Sequence, residues 1–120
     1  MLIGALVEDD WLWRFAPCVI HADLAPEHVL VSATGDLVGI LDWEEVAVSD
    51  PAADFAWLTS IPEVGERALA AYGGAPDAAF LERARLARAF VPWHEVDHGV
   101  RTGQEGFVTG GLEGVLAHLP

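Results

Sequence analysis

The sequence predicts an α+β fold in which helices predominate. Two observations carry that expectation. A pair of short β-rich stretches flanks a turn signal between Val29 and Leu41, and apolar residues recur at helical spacing through nearly all of the second half of the 120-residue chain. A chain of that length holds one modest core, and residues 1–120 read as a single domain.

Val7 to Phe15 places Trp11, Trp13 and Phe15 at alternate positions beside Glu8, Asp9 and Asp10, which fits a strand or a helix end equally, so no element is assigned. Cys18-Val19-Ile20 is a short apolar stub ending at His21. Cys18, the one cysteine, permits no disulfide or thiolate cluster within the chain and reads as a small buried hydrophobe. Val29-Leu30-Val31, the turn Ala33-Thr34-Gly35-Asp36 and the return Leu37 to Leu41 predict a β-hairpin, with the loop from His21 before it and Asp42 directly after it.

Ser49-Asp50-Pro51 has the form of a helix start, a capping side chain followed by proline. That helix would carry Asp54, Phe55, Trp57 and Leu58 and end at Pro62. Glu66 to Tyr72 reads as a short helix stopped by Gly73-Gly74. Pro76 opens a longer one, with Phe80, Leu81, Ala84, Ala87, Phe90 and Val91 on its apolar side, and Pro92 should kink or restart it. The pattern then runs through Trp93, Val96 and Val100 to Gly103, and a last helix from about Gln104 carries Phe107, Leu112, Val115, Leu116 and Leu119.

With 52% hydrophobic residues and a mean hydropathy of +0.32, the chain can bury a core and is no disordered tail. No apolar run approaches the roughly 20 residues of a membrane span. Met1-Leu2-Ile3-Gly4 lacks the basic start of a signal peptide, so a cytoplasmic location is expected. The formal net charge of −13 comes from 19 acids against 6 arginines and no lysine. Such a surface repels nucleic acid and favours cationic small molecules or a basic partner. A mechanism needing a flexible ammonium on a triphosphate must take it from outside this chain.

One passage carries chemistry. Transfer of a phosphoryl group to a hydroxyl needs a carboxylate to orient that hydroxyl and accept its proton, and a metal held by one or two rigid ligands. Asp23 sits in a loop after a strand, where such a base is usually presented, and the hairpin returns Asp42 towards His28, so these two can hold the metal. The plainer reading of the His21 to His28 loop is a capped turn. Trp43, Glu44 and Glu45 suit either a cleft that attracts a cation or a solvated acidic loop. His94, Glu95, Asp97 and His98 read as a polar helix face, although Glu95 and His98 lie one turn apart.

His21-Ala22-Asp23-Leu24-Ala25-Pro26-Glu27-His28-Val29-Leu30, then Gly39-Ile40-Leu41-Asp42-Trp43, then Ser49-Asp50-Pro51-Ala52-Ala53-Asp54-Phe55-Ala56, resemble in order and spacing the C-terminal lobe of the aminoglycoside and macrolide phosphotransferases, small-molecule kinases with a protein-kinase-like fold. Pro92 to Gly103 resembles the C-terminal helices of the macrolide branch, and the likeness spans roughly residues 18 to 118. The resemblance implies Asp23 as the catalytic aspartate and Asp42 as the Mg2+ ligand. It puts His28 at the second metal position, where most members have asparagine and some macrolide kinases have histidine. His21 and Asp54 become structural supports of the catalytic loop. It further implies ATP or GTP as co-substrate and a hydroxyl acceptor such as a cationic antibiotic.

The resemblance lacks its front part. A full enzyme has a lobe with a glycine-rich loop, a lysine and a partner glutamate, whereas about twenty residues precede His21. The isolated chain is therefore expected to be inactive or weakly active, and to self-associate or take up a complementing N-terminal lobe. Two other classes fit the same residues: a metal-dependent hydrolase using His21, Asp23, His28 and Asp42, and a non-catalytic module that binds a cationic ligand.

Overall fold

The computed structural model describes residues 10–118. The chain divides at Arg85 into two compact units. The first holds two small antiparallel sheets, short helical turns, a ten-residue helix and the start of a long one, and the second is helical. An α+β fold dominated by helices is what the sequence predicts.

In the first unit β1 (Cys18–Ile20) pairs with β4 (Ala47–Ser49), with Val19 opposite Val48, and β2 (Val29–Val31) pairs with β3 (Leu37–Ile40), with Val29 opposite Ile40. The second pair is the predicted hairpin. Its turn closes through Gly35, whose φ of +85° only glycine adopts without strain, and a bulge lies between Leu30 and Val31. Neither pair of three- or four-residue strands is stable alone, so each depends on what packs on it. β4 is absent from the sequence reading because Ala47-Val48-Ser49 is too short to show a period.

Asp50 caps the next turn through a 3.0 Å bond from the Ala52 amide, with Pro51 at the first helical position, as the Ser-Asp-Pro signal predicts. The expected single helix is instead two 3₁₀ helices, Pro51–Phe55 and Leu58–Ser60. Pro62 does not end a helix but begins one, α1 (Pro62–Ala71), where its missing N–H costs nothing. Ala52, Phe80 and Ala84 form a buried cluster, and the Phe55 ring meets those of Tyr72 and Phe80 edge-on at 5.1 Å. Cys18 is exposed, contrary to expectation. Cys18 shares the face of Ile20 but opens a three-residue strand of which only Ile20 is buried.

Trp11 and Trp13 are exposed and Leu12 between them is buried; Val7, Glu8 and Asp9 lie outside the described residues. The main-chain oxygen of Leu12 accepts a 2.8 Å bond from Arg83, a side chain only 5% exposed. Arg83 also pairs with Asp50 at 2.6 Å. Nothing in the helical spacing of the sequence marks Arg83 as buried.

Asp77 starts the long helix α2 (Ala78–Thr102) with a 2.8 Å bond from the Phe80 amide. The helix runs through Pro92 without restarting and stops at Gly103 (φ +69°). In the second unit, α3 (Glu105–Ala117) crosses the later part of α2 closely. A Cβ on Gly111 would lie 2.7 Å from the Pro92 oxygen and 2.8 Å from the Val96 nitrogen, both backbone atoms. Leu119 lies outside the described residues.

Gly111→Ala should therefore destabilise the chain by about 1–3 kcal/mol, because neither backbone atom can yield. Gly110→Ala, where a Cβ meets nothing within 4 Å, should stabilise it by about 0.5–1 kcal/mol through helix propensity. Thermal unfolding followed by circular dichroism checks both signs.

Candidate active site

The His21 to Asp23 loop is fixed by its own amides. His21 N–H and Ala22 N–H donate to the two carboxylate oxygens of Asp54, at 2.8 and 2.9 Å, and Asp23 N–H donates to His21 Nδ1 at 3.3 Å. Three consecutive donors are satisfied by two side chains. The clamp holds Ala22 at φ +69°, a left-handed conformation that costs a non-glycine residue about 1–2 kcal/mol. Pairing of β1 with β4 brings Asp54 there, by setting the Pro51–Phe55 turn next to the end of β1.

Asp42 is fixed from both sides. Leu41 N–H donates to the His28 oxygen at 2.8 Å, which carries the hairpin ladder one step beyond Ile40. The Leu41 oxygen accepts from His21 Nε2 at 2.7 Å. On the other flank the Trp43 indole N–H donates to the Ile40 oxygen at 2.9 Å, while its ring packs on His21 at 4.7 Å between centroids. Between these restraints Asp42 itself takes φ +61°.

His28 links the two loops. Its Nδ1 lies 2.7 Å from the Asp23 main-chain oxygen, and a carbonyl can only accept, so Nδ1 carries the proton. In the neutral ring Nε2 then presents a lone pair, 3.5 Å from Asp42 Oδ2. A proton on Nε2 or a metal ion can bridge two acceptors at that separation. One donor atom from each of Asp23, His28 and Asp42 can be chosen so that all lie within 4.8 Å of one another. On an octahedral ion with oxygen and nitrogen bonds of ~2.1 Å, neighbouring donors stand roughly 3 Å apart, so the imidazole and carboxylates fit a divalent cation with small adjustments.

His21 does not join that group. It is 3% exposed and both its ring nitrogens are occupied by main chain, Nε2–H donating to Leu41 and Nδ1 accepting from Asp23. Glu44 and Glu45 are exposed in the turn after Trp43, whose own side chain is 49% exposed and belongs as much to the scaffold as to a cleft. Among the described residues, His94, Glu95, Asp97 and His98 form no metal group; His98 packs edge-on against Phe107 at 4.9 Å, and Asp97 pairs with Arg101. Two contributors were not read from the sequence. The Leu41 main chain ties both loops together, and Arg83 anchors the capping Asp50 of the turn that carries Asp54.

Small antiparallel sheets with a mostly helical remainder are the architecture of the C-terminal part of a phosphotransferase with a kinase-like fold. The chain belongs to the phosphotransferase enzyme family (APH), which matches residues 3–90. It is 32% identical over 111 residues to the viomycin phosphotransferase of Streptomyces vinaceus, across 88% of this chain and 38% of that protein. Its fold superposes with a TM-score of 0.76 on a GDP complex of an aminoglycoside 2′-phosphotransferase-IIIa variant, at 28% identity, covering 95% of this chain and 39% of that one. A macrolide 2′-phosphotransferase type I is similar at 25% identity with a TM-score of 0.75, across 90% of this chain and 38% of that one. The chain thus spans about two fifths of the length of the proteins it resembles. What it matches is the C-terminal part of their kinase-like fold.

Asp54→Asn places an amide group against one of two amide donors and should cost about 2–3 kcal/mol, the range for hydrogen bonds to a charged group. Chemical unfolding measures the loss, and amide NMR shifts at Ala22 and Asp23 should report a released loop. For the metal-free protein near pH 8, nitrogen-15 NMR of the histidine rings should find His28 protonated at Nδ1 and His21 at Nε2.

Proposed function

We propose that this chain is the C-terminal catalytic lobe of a small-molecule O-phosphotransferase, which passes the γ-phosphoryl group of ATP or GTP to a hydroxyl of an antibiotic-like acceptor. The observation that carries the reading is the convergence of Asp23, His28 and Asp42 from two loops that are each held rigid by main-chain bonds. Family membership and the 88% coverage by viomycin phosphotransferase support the reaction class.

In this reading Asp23 accepts the acceptor hydroxyl's proton through a carboxylate whose loop is pinned by Asp54 and His21. His28 Nε2 and Asp42 hold a divalent ion, Mg2+ in the simplest case, which supplies charge neutralisation for the phosphates. His21 and Asp54 bind no ligand and hold the loop. Trp43, Glu44 and Glu45 border the same loop and suit a cationic acceptor, in keeping with the chain's excess of acids. The 2′-phosphotransferases of aminoglycosides and macrolides and the viomycin enzyme suggest the range of acceptors to try.

Because the chain has no lysine, the cation that pairs with the phosphates comes from another segment or chain. Val31, Leu37 and Val38 of the hairpin are exposed apolar residues and suit the seat of that N-terminal lobe. Activity of these 120 residues alone is therefore weak or nil, since positioning supplies most of the rate in phosphoryl transfer. A hydrolase built on four ligands is disfavoured by the buried, doubly bonded His21.

Calorimetric titration with ATP and with GTP, each with Mg2+, should show metal-dependent binding to the wild-type chain that disappears in Asp42→Ala and persists in Asp23→Asn. Binding that is indifferent to Asp42→Ala would sink the assignment. Asp23→Asn in an enzyme completed with its N-terminal lobe should lower kcat by about 10²–10⁴-fold with little change in nucleotide affinity.

A further inference from the structure

We infer that the cation site prefers a first-row transition ion, with manganese(II) as its working representative, over magnesium, and that His28 Nε2 is the atom responsible. The inference rests on the reading of His28 and Asp42 as metal ligands. It goes further by assigning the donor atom and the class of ion that this atom selects.

The choice follows from which nitrogen is free. The Asp23 carbonyl takes the Nδ1 proton at 2.7 Å, so the neutral ring has one available lone pair, on Nε2, directed at Asp42 Oδ2 from 3.5 Å. The ring is held in that orientation. Its side chain is 17% exposed, it stacks with the His21 ring at 5.9 Å, and turning it away would break the bond to Asp23. The carbonyl that fixes it belongs to the loop whose three amides are tied by Asp54 and His21. An outer partner of that rigidity determines which nitrogen ligates and raises its basicity.

Magnesium is small, hard and slow to give up water, and takes oxygen in preference to imidazole nitrogen. Manganese(II) keeps the same six-fold oxygen-rich coordination that phosphates require and accepts a nitrogen ligand more readily. One fixed imidazole beside carboxylates therefore shifts the preference towards the transition ion without losing the ability to bind phosphate oxygens. An asparagine oxygen at the same position would remove that shift.

The test uses metal salts alone on the 120-residue chain. Manganese(II) binding is followed by the loss of the free-ion paramagnetic resonance signal, and magnesium binding by competition. Manganese should bind at least about tenfold more tightly than magnesium, and its spin-echo spectrum should show coupling to a nitrogen nucleus. In His28→Asn the nitrogen coupling should vanish and the selectivity fall by roughly tenfold, with magnesium affinity nearly unchanged. Equal affinities in the wild type, selectivity that survives in His28→Asn, or bound manganese without nitrogen coupling would overturn the inference. If Asp42→Ala still abolishes binding in those cases, the metal site itself stands. A folded wild-type chain that binds neither ion overturns both readings together.

Discussion

The Asp54 carboxylate is the constraint from which the site is built. A loop that must present Asp23 cannot use its amides in a sheet or helix, and three consecutive N–H groups left without partners would each cost free energy. Asp54 takes two and His21 takes the third. Satisfying them fixes the backbone of Ala22 in a conformation that few non-glycine residues adopt, and this turns the Asp23 side chain to the surface beside His28. The strain at Ala22 persists because neighbouring bonds determine it from several directions.

The same economy places Asp42. His21 reaches the Leu41 oxygen while its other nitrogen serves Asp23, so one buried ring registers the Asp23 loop against the Asp42 loop. Trp43 covers that ring and ties back to Ile40. Asp42 is therefore positioned by contacts of its neighbours, and its own carboxylate faces His28 Nε2 at 3.5 Å. His21 would bind a metal only by giving up this bridge. That is the physical reason the site contains two histidines with different tasks, one holding backbone and the other offering a lone pair.

Charge sets the condition on what can approach Asp23 and Asp42. Asp23 and Asp42 stand close together on a chain with formal charge −13 and without lysine, so bringing a triphosphate to them requires cations. In the proposed phosphotransferase a divalent ion between His28 and Asp42 would supply part of that charge.

By itself the sequence determined the hairpin, the capping Asp50, the stop at Gly103 and the family of the chain, because each is written in local turn chemistry or in a contiguous motif. It singled out Asp23, His28 and Asp42 for the same reason. Tertiary structure alone decided that Arg83 is buried on Asp50, that Cys18 is exposed, that Ala47–Ser49 pairs with the first strand and that Pro62 begins a helix. It also decided that both ring nitrogens of His21 are occupied while His28 turns Nε2 towards Asp42. These depend on partners 20 to 33 residues away in the chain for His21 with Leu41, Ala22 with Asp54 and Asp50 with Arg83, and no local period records a partner at that distance.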